Sequence, residues 1–289
     1  MTSKNPFAPG PLLRETWTYL RKQPVLLTIT GWFLFLPSLA DSWFGRWWDE
    51  QGFPSAPAAV QPIDVVLVAA VLVVTFVYLW GISCVLLVGK RMVVSRAGRS
   101  RSSFRRVRGD ALPLVFPLLL TSLLQQCLTF YRALLFAVPA IVAVLLLRGN
   151  PAVDAPVGGR TGFTLLLLTP LLIPAVLFLL RTSFAPIVLA CEGKTFRAAL
   201  KRSRELTRHN LARVAGTLLA LAAATLLPAS LLSLLFWSLL PESSPRLYYA
   251  GDVTDSLLSS AALLFFLLSM IGLYGKLREL KGEPKEVEM

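Results

Sequence analysis

Residues 63–88 carry 26 positions with a single charge, Asp64, among them. About 20 residues of helix, rising ~1.5 Å each, cover the ~30 Å of bilayer hydrocarbon. A run of this length has no use for water on any side. Similar runs recur at 25–40, 128–147, 162–190, 215–240 and 257–274. In lipid the backbone must satisfy its own hydrogen bonds, and a helix does this within one segment. The expected fold is therefore all-α: a polytopic membrane bundle of about six transmembrane helices. No polar block is long enough for a soluble domain, so residues 1–289 form one integral membrane domain.

The charges then orient the bundle. Only 16% of residues are charged and the mean hydropathy is +0.64, whereas soluble domains run near a quarter charged. The net charge of +13 would ordinarily suggest nucleic acid, but most of the basic residues flank apolar runs, as anchors on one membrane face do. Of the 29 Lys and Arg residues, 23 fall in segments on one side of a six-span layout. Arg46, Arg148, Arg160 and Arg246 fall on the other, and Arg132 and Arg181 lie within apolar runs. The positive-inside rule places the basic face and both termini in the cytoplasm.

Two basic segments read as amphipathic helices lying on the headgroup surface. In 11–23, Leu12, Leu13, Trp17 and Leu20 oppose Arg14, Arg21 and Lys22, and Pro24 ends the helix. In 195–211, Phe196, Ala199, Leu200, Ser203, Leu206 and Leu211 recur at three- and four-residue spacing. Arg197, Lys201, Arg204 and Arg208 occupy the opposite side, and Thr195 stands where an N-cap belongs. Ser38-Leu39-Ala40 has the form of a signal-cleavage site, but the long aromatic-bearing prefix argues for a retained first span. The Trp-rich acidic segment 41–62 and the acidic segment 241–255 read as outer connections.

Two regions are less regular. Residues 111–147 hold Pro113, Pro117, Gln125, Gln126, Arg132 and Pro139. The sidedness of the flanking segments allows only one crossing here. An elbow or re-entrant piece is expected up to Cys127, with a span beyond it. The fourth span, with Pro170, Pro174 and Pro186, is expected to be one bent element.

No catalytic or metal constellation is visible. Cys84, Cys127 and Cys191 lack ligand spacing, His209 has no acidic or cysteine partner nearby, and no cofactor is implied. What stands out is cationic. An arginine within a span is by default a functional hypothesis, and from Thr161 a helix reaches ~30 Å by Arg181, so Arg181 is expected to snorkel at the inner interface. Arg181, Lys194, Arg197, Lys201, Arg204 and Arg208 are the candidate contacts for an anionic headgroup. Gln125, Gln126 and Arg132 are candidate intramembrane polar residues, as interhelical glue or a polar path. Glu192 and Lys194 are expected to pair locally.

A weak internal repeat accompanies this: Leu13-Arg14-Glu15-Thr16 is echoed by Leu200-Lys201-Arg202-Ser203, and Ser103-Phe104-Arg105 by Thr195-Phe196-Arg197. The same region carries a family pattern. Arg181, Ala185-Pro186-Ile187-Val188, Glu192-Gly193-Lys194, Ala199-Leu200-Lys201-Arg202-Ser203 and Leu206-Thr207 resemble the membrane domain attached to some bacterial glycerophosphodiester phosphodiesterases. Related small six-span inner-membrane proteins share the pattern. Arg204 stands where an aromatic is usual, and the hydrolase domain has no counterpart here, so the resemblance implies a membrane platform and no diesterase activity.

The sequence thus leads to two expectations. The first is a non-enzymatic, lipid-interacting or envelope-associated scaffold of the bacterial inner membrane, its cationic face binding anionic lipid. The alternative is a transporter or permease subunit gated by its proline-rich spans. Other membrane proteins or a second copy are the further partners open to it; nucleic acid is not one.

Overall fold

A computed structural model describes residues 7–51, 62–94, 102–148, 173–239 and 245–282. All regular structure among them is helical. In chain order the helices are α1 (Pro9–Lys22), α2 (Val25–Ile29), a π-helical stretch (Thr30–Phe35), α3 (Leu36–Gln51), α4 (Pro62–Val94), and α5 (Phe104–Arg148). There follow α6 (residues 173–182), α7 (Ala185–Glu192), α8 (Phe196–Thr207), α9 (Leu211–Leu239) and α10 (Pro245–Leu280). Among the described residues, six helical segments are long and apolar enough to cross a membrane. The molecule is a polytopic membrane bundle.

Helix α10 is its axis. It packs on α9, α4, α1, α3 and the π-helical stretch. Of its most apolar window 56% is buried, against 11% for α9. The outer faces of α9, such as Leu219, Leu231 and Leu234, need no protein partner, because lipid tails are as apolar as leucine. Where α4 meets the π-helical stretch, close approach depends on a missing side chain: a Cβ on Gly81 of α4 would fall 2.5 Å from the Cβ of Phe33. Phe33 sits in the π-helical stretch and meets Trp80 edge-on at 4.9 Å.

The basic segments gather at one end of this bundle. Helix α1 crosses beneath α10: Thr16 and Ser269 hydroxyls lie 3.1 Å apart, Glu15 pairs with Lys276 at 3.2 Å, and the Tyr19 hydroxyl donates to the Val88 carbonyl at the foot of α4. Nearby, Arg91 donates to Ser102 at 2.6 Å. Lys281 donates to the Glu205 carbonyl, joining the foot of α10 to α8.

Several expectations change. The break expected within 111–127 is absent, since α5 is one helix over Phe104–Arg148. Each proline removes a donor, but leaving the helix would orphan still more backbone groups away from water. The buried face of this stretch (Val107, Ala111, Val115, Leu118, Thr121, Gln125) repeats every three or four residues and rests on α4, α7 and α8. The acidic connections are also shorter than expected. Helix α3 continues to Gln51 and α10 already starts at Pro245, because an aspartate or tryptophan marks depth in a membrane without ending a helix. Nor do α1 and α8 rest their apolar faces on lipid alone. Leu12, Thr16, Tyr19 and Leu20 of α1, and Ala199, Leu200, Ser203, Leu206 and Thr207 of α8, are buried against protein. The fourth span is indeed bent, at the Ser183-Phe184 turn just before Pro186. Its expected start and Pro170 lie outside the described residues.

Candidate anion-binding site

The bend between α6 and α7 builds the site. A helix end leaves carbonyls without partners, and the following helix start leaves N–H groups. Ser203 of α8 serves both: its hydroxyl donates to the Arg181 carbonyl at 2.8 Å and accepts from the Phe184 N–H at 3.2 Å. Thr207, one turn on, also reaches the Arg181 carbonyl, at 3.4 Å. The small polar residues on the apolar face of α8 are therefore clamps, and they fix α8 against the end of α6.

Helix α7 then runs to Glu192, and Gly193 takes the left-handed φ of 67° that ends the helix. The Glu192 carboxylate accepts from the Tyr274 hydroxyl at 2.6 Å, from Lys194 at 2.9 Å and from Arg202 at 3.2 Å. The expected Glu192–Lys194 pair is present. It belongs to a larger knot that ties α7, α8 and α10 together. Tyr274 and Arg202 were not foreseen as partners, although a tyrosine deep in the last span needs somewhere for its hydroxyl to go.

A second group lies where α5, α6 and α8 meet. Phe178 of α6 is buried, and the guanidinium carbons of Arg132 and Arg204 lie 4.0 and 4.6 Å from its ring centroid. Arg181 follows Phe178 by three residues, and its charge acts on Arg204 along with that of Arg132. Burial first, and then these two neighbours, pull the Arg204 pKa below its ordinary value. The buried Nε of Arg204 has no hydrogen-bond partner. Among the described residues, no acidic side chain pairs with any of the three. Their mutual repulsion is opposed by the cation–π contacts with Phe178. The cluster carries three positive charges with no acid beside them, offset in part by the shared ring.

The other candidates disperse. Lys194 is committed to Glu192. Arg197, Lys201 and Arg208 are exposed on α8. Gln125 is buried on the packed face of α5 while its neighbour Gln126 is exposed, so the two glutamines do not share a path. Arg132, read as intramembrane, stands level with α8. None of the three cysteines forms a disulfide: Cys84 and Cys191 are buried and Cys127 is exposed. Among the described residues no group of three or more His, Cys, Asp or Glu could hold a metal ion. Nothing in this arrangement indicates catalysis. Phe178 is the residue that sequence reasoning missed, for nothing sets one phenylalanine apart within an apolar run.

Fold and site together define a multi-pass helical membrane protein with an unneutralised arginine cluster at its basic end. The chain belongs to the family described as Domain of unknown function (DUF7847), whose model matches residues 10–274. That match takes in both the Glu192 knot and the arginine cluster. No curated protein and no solved structure matches.

Proposed function

We propose that this is a bacterial inner-membrane protein with both termini in the cytoplasm. It acts without catalysis, as a lipid-interacting scaffold of the envelope, and it holds the anionic headgroup of a membrane lipid against Arg132, Arg181 and Arg204. The sidedness rests on the 23 of 29 basic residues that fall on one face of the six-span layout. The likeness to diesterase-linked membrane domains rests on the pattern at Arg181–Thr207 alone, and contributes only the idea of a membrane platform.

One observation carries the reading: Arg132 and Arg204 stack on Phe178 and Arg181 adds its charge to Arg204 without an acid, and the Arg204 Nε is buried with no acceptor. Guanidinium is the side chain suited to phosphate, because its donors form a fixed fork and its charge persists at any accessible pH. Exposed Arg197, Lys201 and Arg208 along α8 add attraction toward an anionic leaflet, ~1 kcal/mol each near the surface.

Native mass spectrometry of the purified protein with co-purified lipid provides the test. The wild type is expected to retain anionic phospholipid in preference to zwitterionic lipid. The double variant Arg132→Gln, Arg204→Gln should lose about thirtyfold in retention, from ~1 kcal/mol per arginine. Equal retention by the two proteins would end the proposal.

A further inference from the structure

Beside the arginine cluster, along the same seam between α5 and α8, runs an open groove of about 660 Å³. Leu120, Leu123, Leu124 and Cys127 of α5 form one wall, and Phe196 and Ala198 of α8 the other, with Arg197 on its margin. A volume of this size lies within the range of small-molecule sites, which are mostly apolar with a few polar groups at one end. The arginine cluster lies further along the same seam. Arg132 follows Cys127 by five residues on α5, and Arg204 follows Arg197 by seven on α8. At ~1.5 Å per residue, groove and cluster are therefore ~8–10 Å apart along the seam.

The groove is a built feature. Phe196 takes a left-handed φ of 48°, a conformation that side-chain-bearing residues other than Asn and Asp rarely adopt and that is disfavoured for a bulky one. Its N–H is held by the Thr121 hydroxyl at 3.2 Å, which locks the head of α8 onto α5. Strained backbone of this kind persists where the surroundings over-determine it, and it clusters at ligand sites.

We infer that the groove receives one acyl chain of the lipid whose phosphate sits on Arg132, Arg181 and Arg204. This rests on the headgroup reading above and adds a substrate class to it: a glycerophospholipid bound by head and chain together, as opposed to free phosphate or a soluble phosphate ester. Charge complementarity selects the occupant, since the apolar slot lies along the same seam as three cations with no acid among them, and Arg197 lines it. In a bilayer a chain gains little simply by leaving other chains. The slot's contribution is fit and orientation, so its effect appears as discrimination between chain lengths.

The experiment uses the full chain in detergent, titrated with dioleoyl-phosphatidylglycerol, dihexanoyl-phosphatidylglycerol and inorganic phosphate, and followed by native mass spectrometry. Wild type is expected to favour the long-chain lipid over the short by about tenfold or more. Leu123→Trp, at a half-exposed position on the groove wall, should abolish that preference and leave short-chain binding unchanged. Ala198→Trp on the opposite wall should do the same if the first variant folds poorly. Arg132→Gln with Arg204→Gln should weaken both lipids alike. Independently of any variant, alkylation of Cys127 should slow several-fold under saturating long-chain lipid and not under the short-chain lipid. Equal wild-type affinity for the two lipids, a chain-length preference that survives filling the groove, or an unchanged Cys127 rate would each overturn the inference while leaving the headgroup site standing. If the arginine variants bind both lipids normally, the headgroup reading falls and this one falls with it. Inorganic phosphate binding as tightly as either lipid would replace the lipid with a free anion.

Discussion

The basic end of the molecule holds two polar clusters made from the same segment, and they are opposites. Around Glu192, one carboxylate collects a tyrosine hydroxyl, a lysine and an arginine within 3.3 Å. Every strong donor there has found its acceptor. Around Phe178, two arginines share a ring face-on, a third adds its field, and a buried guanidinium N–H faces nothing. The difference separates fastening from function. A closed cluster contributes stability, whereas one left unbalanced in the folded protein is the one that the headgroup proposal fills.

Substitutions can break this contrast, beginning with the largest effect. Glu192→Leu removes the acceptor shared by Tyr274, Lys194 and Arg202. Breaking such a partly buried set is expected to lower stability by ~3 kcal/mol, seen as an earlier thermal unfolding transition in detergent; an unchanged transition would show that the knot fastens nothing. Ser203→Ala strips the clamp from the Arg181 carbonyl and the Phe184 N–H, at an expected cost of ~2 kcal/mol. Its lipid retention should also weaken, because α8 carries Arg204. A variant destabilised with full retention would separate the bend from the site.

Removing charge from the other cluster should act in the opposite direction. Delipidated Arg132→Gln, Arg204→Gln protein is expected to unfold no earlier than wild type, since the mutual repulsion disappears together with the cation–π contacts that oppose it. Retention in the wild type should stay flat between about pH 6.5 and about pH 9, because guanidinium does not titrate there. A fall across that window would assign the binding to another group. The smallest effect belongs to Lys194→Ala. Its ammonium is half exposed, and pairs of that kind contribute ~0.2–1 kcal/mol, so a shift in unfolding near the limit of measurement is expected. A loss as large as that of Glu192→Leu would mean that the lysine is as essential to the knot as the carboxylate.

Much of this was legible from the chain. Hydropathy located the apolar helices because lipid imposes length and internal hydrogen bonding together, and the spacing of Ala199, Leu200, Ser203 and Leu206 identified the buried face of α8. Prolines misled at 111–127, since a membrane helix tolerates a lost donor that would often end a helix in water. Acidic residues misled at 241–255, where Asp252 and Asp255 belong to the early turns of α10. Arg132, Arg181 and Arg204 were each singled out, but 49 positions of chain separate Arg132 from Arg181, and periodicity within one helix says nothing about which helix lies beside it. Only the packing of α5 on α8 makes three isolated cations one site.

The contact between Thr16 and Ser269 spans 253 positions. Helix α1 is synthesised well before α10, yet much of the surface it rests on belongs to that helix. Until α10 emerges, therefore, Thr16 lacks its partner Ser269 and Glu15 its partner Lys276, and an amphipathic helix with arginines on its other side can wait on the membrane surface, held to α4 through Tyr19. The arrival of α10 then closes the assembly by drawing α1 beneath it. A ribosome stalled before α10 should leave a bundle that lacks both its axis and its latch.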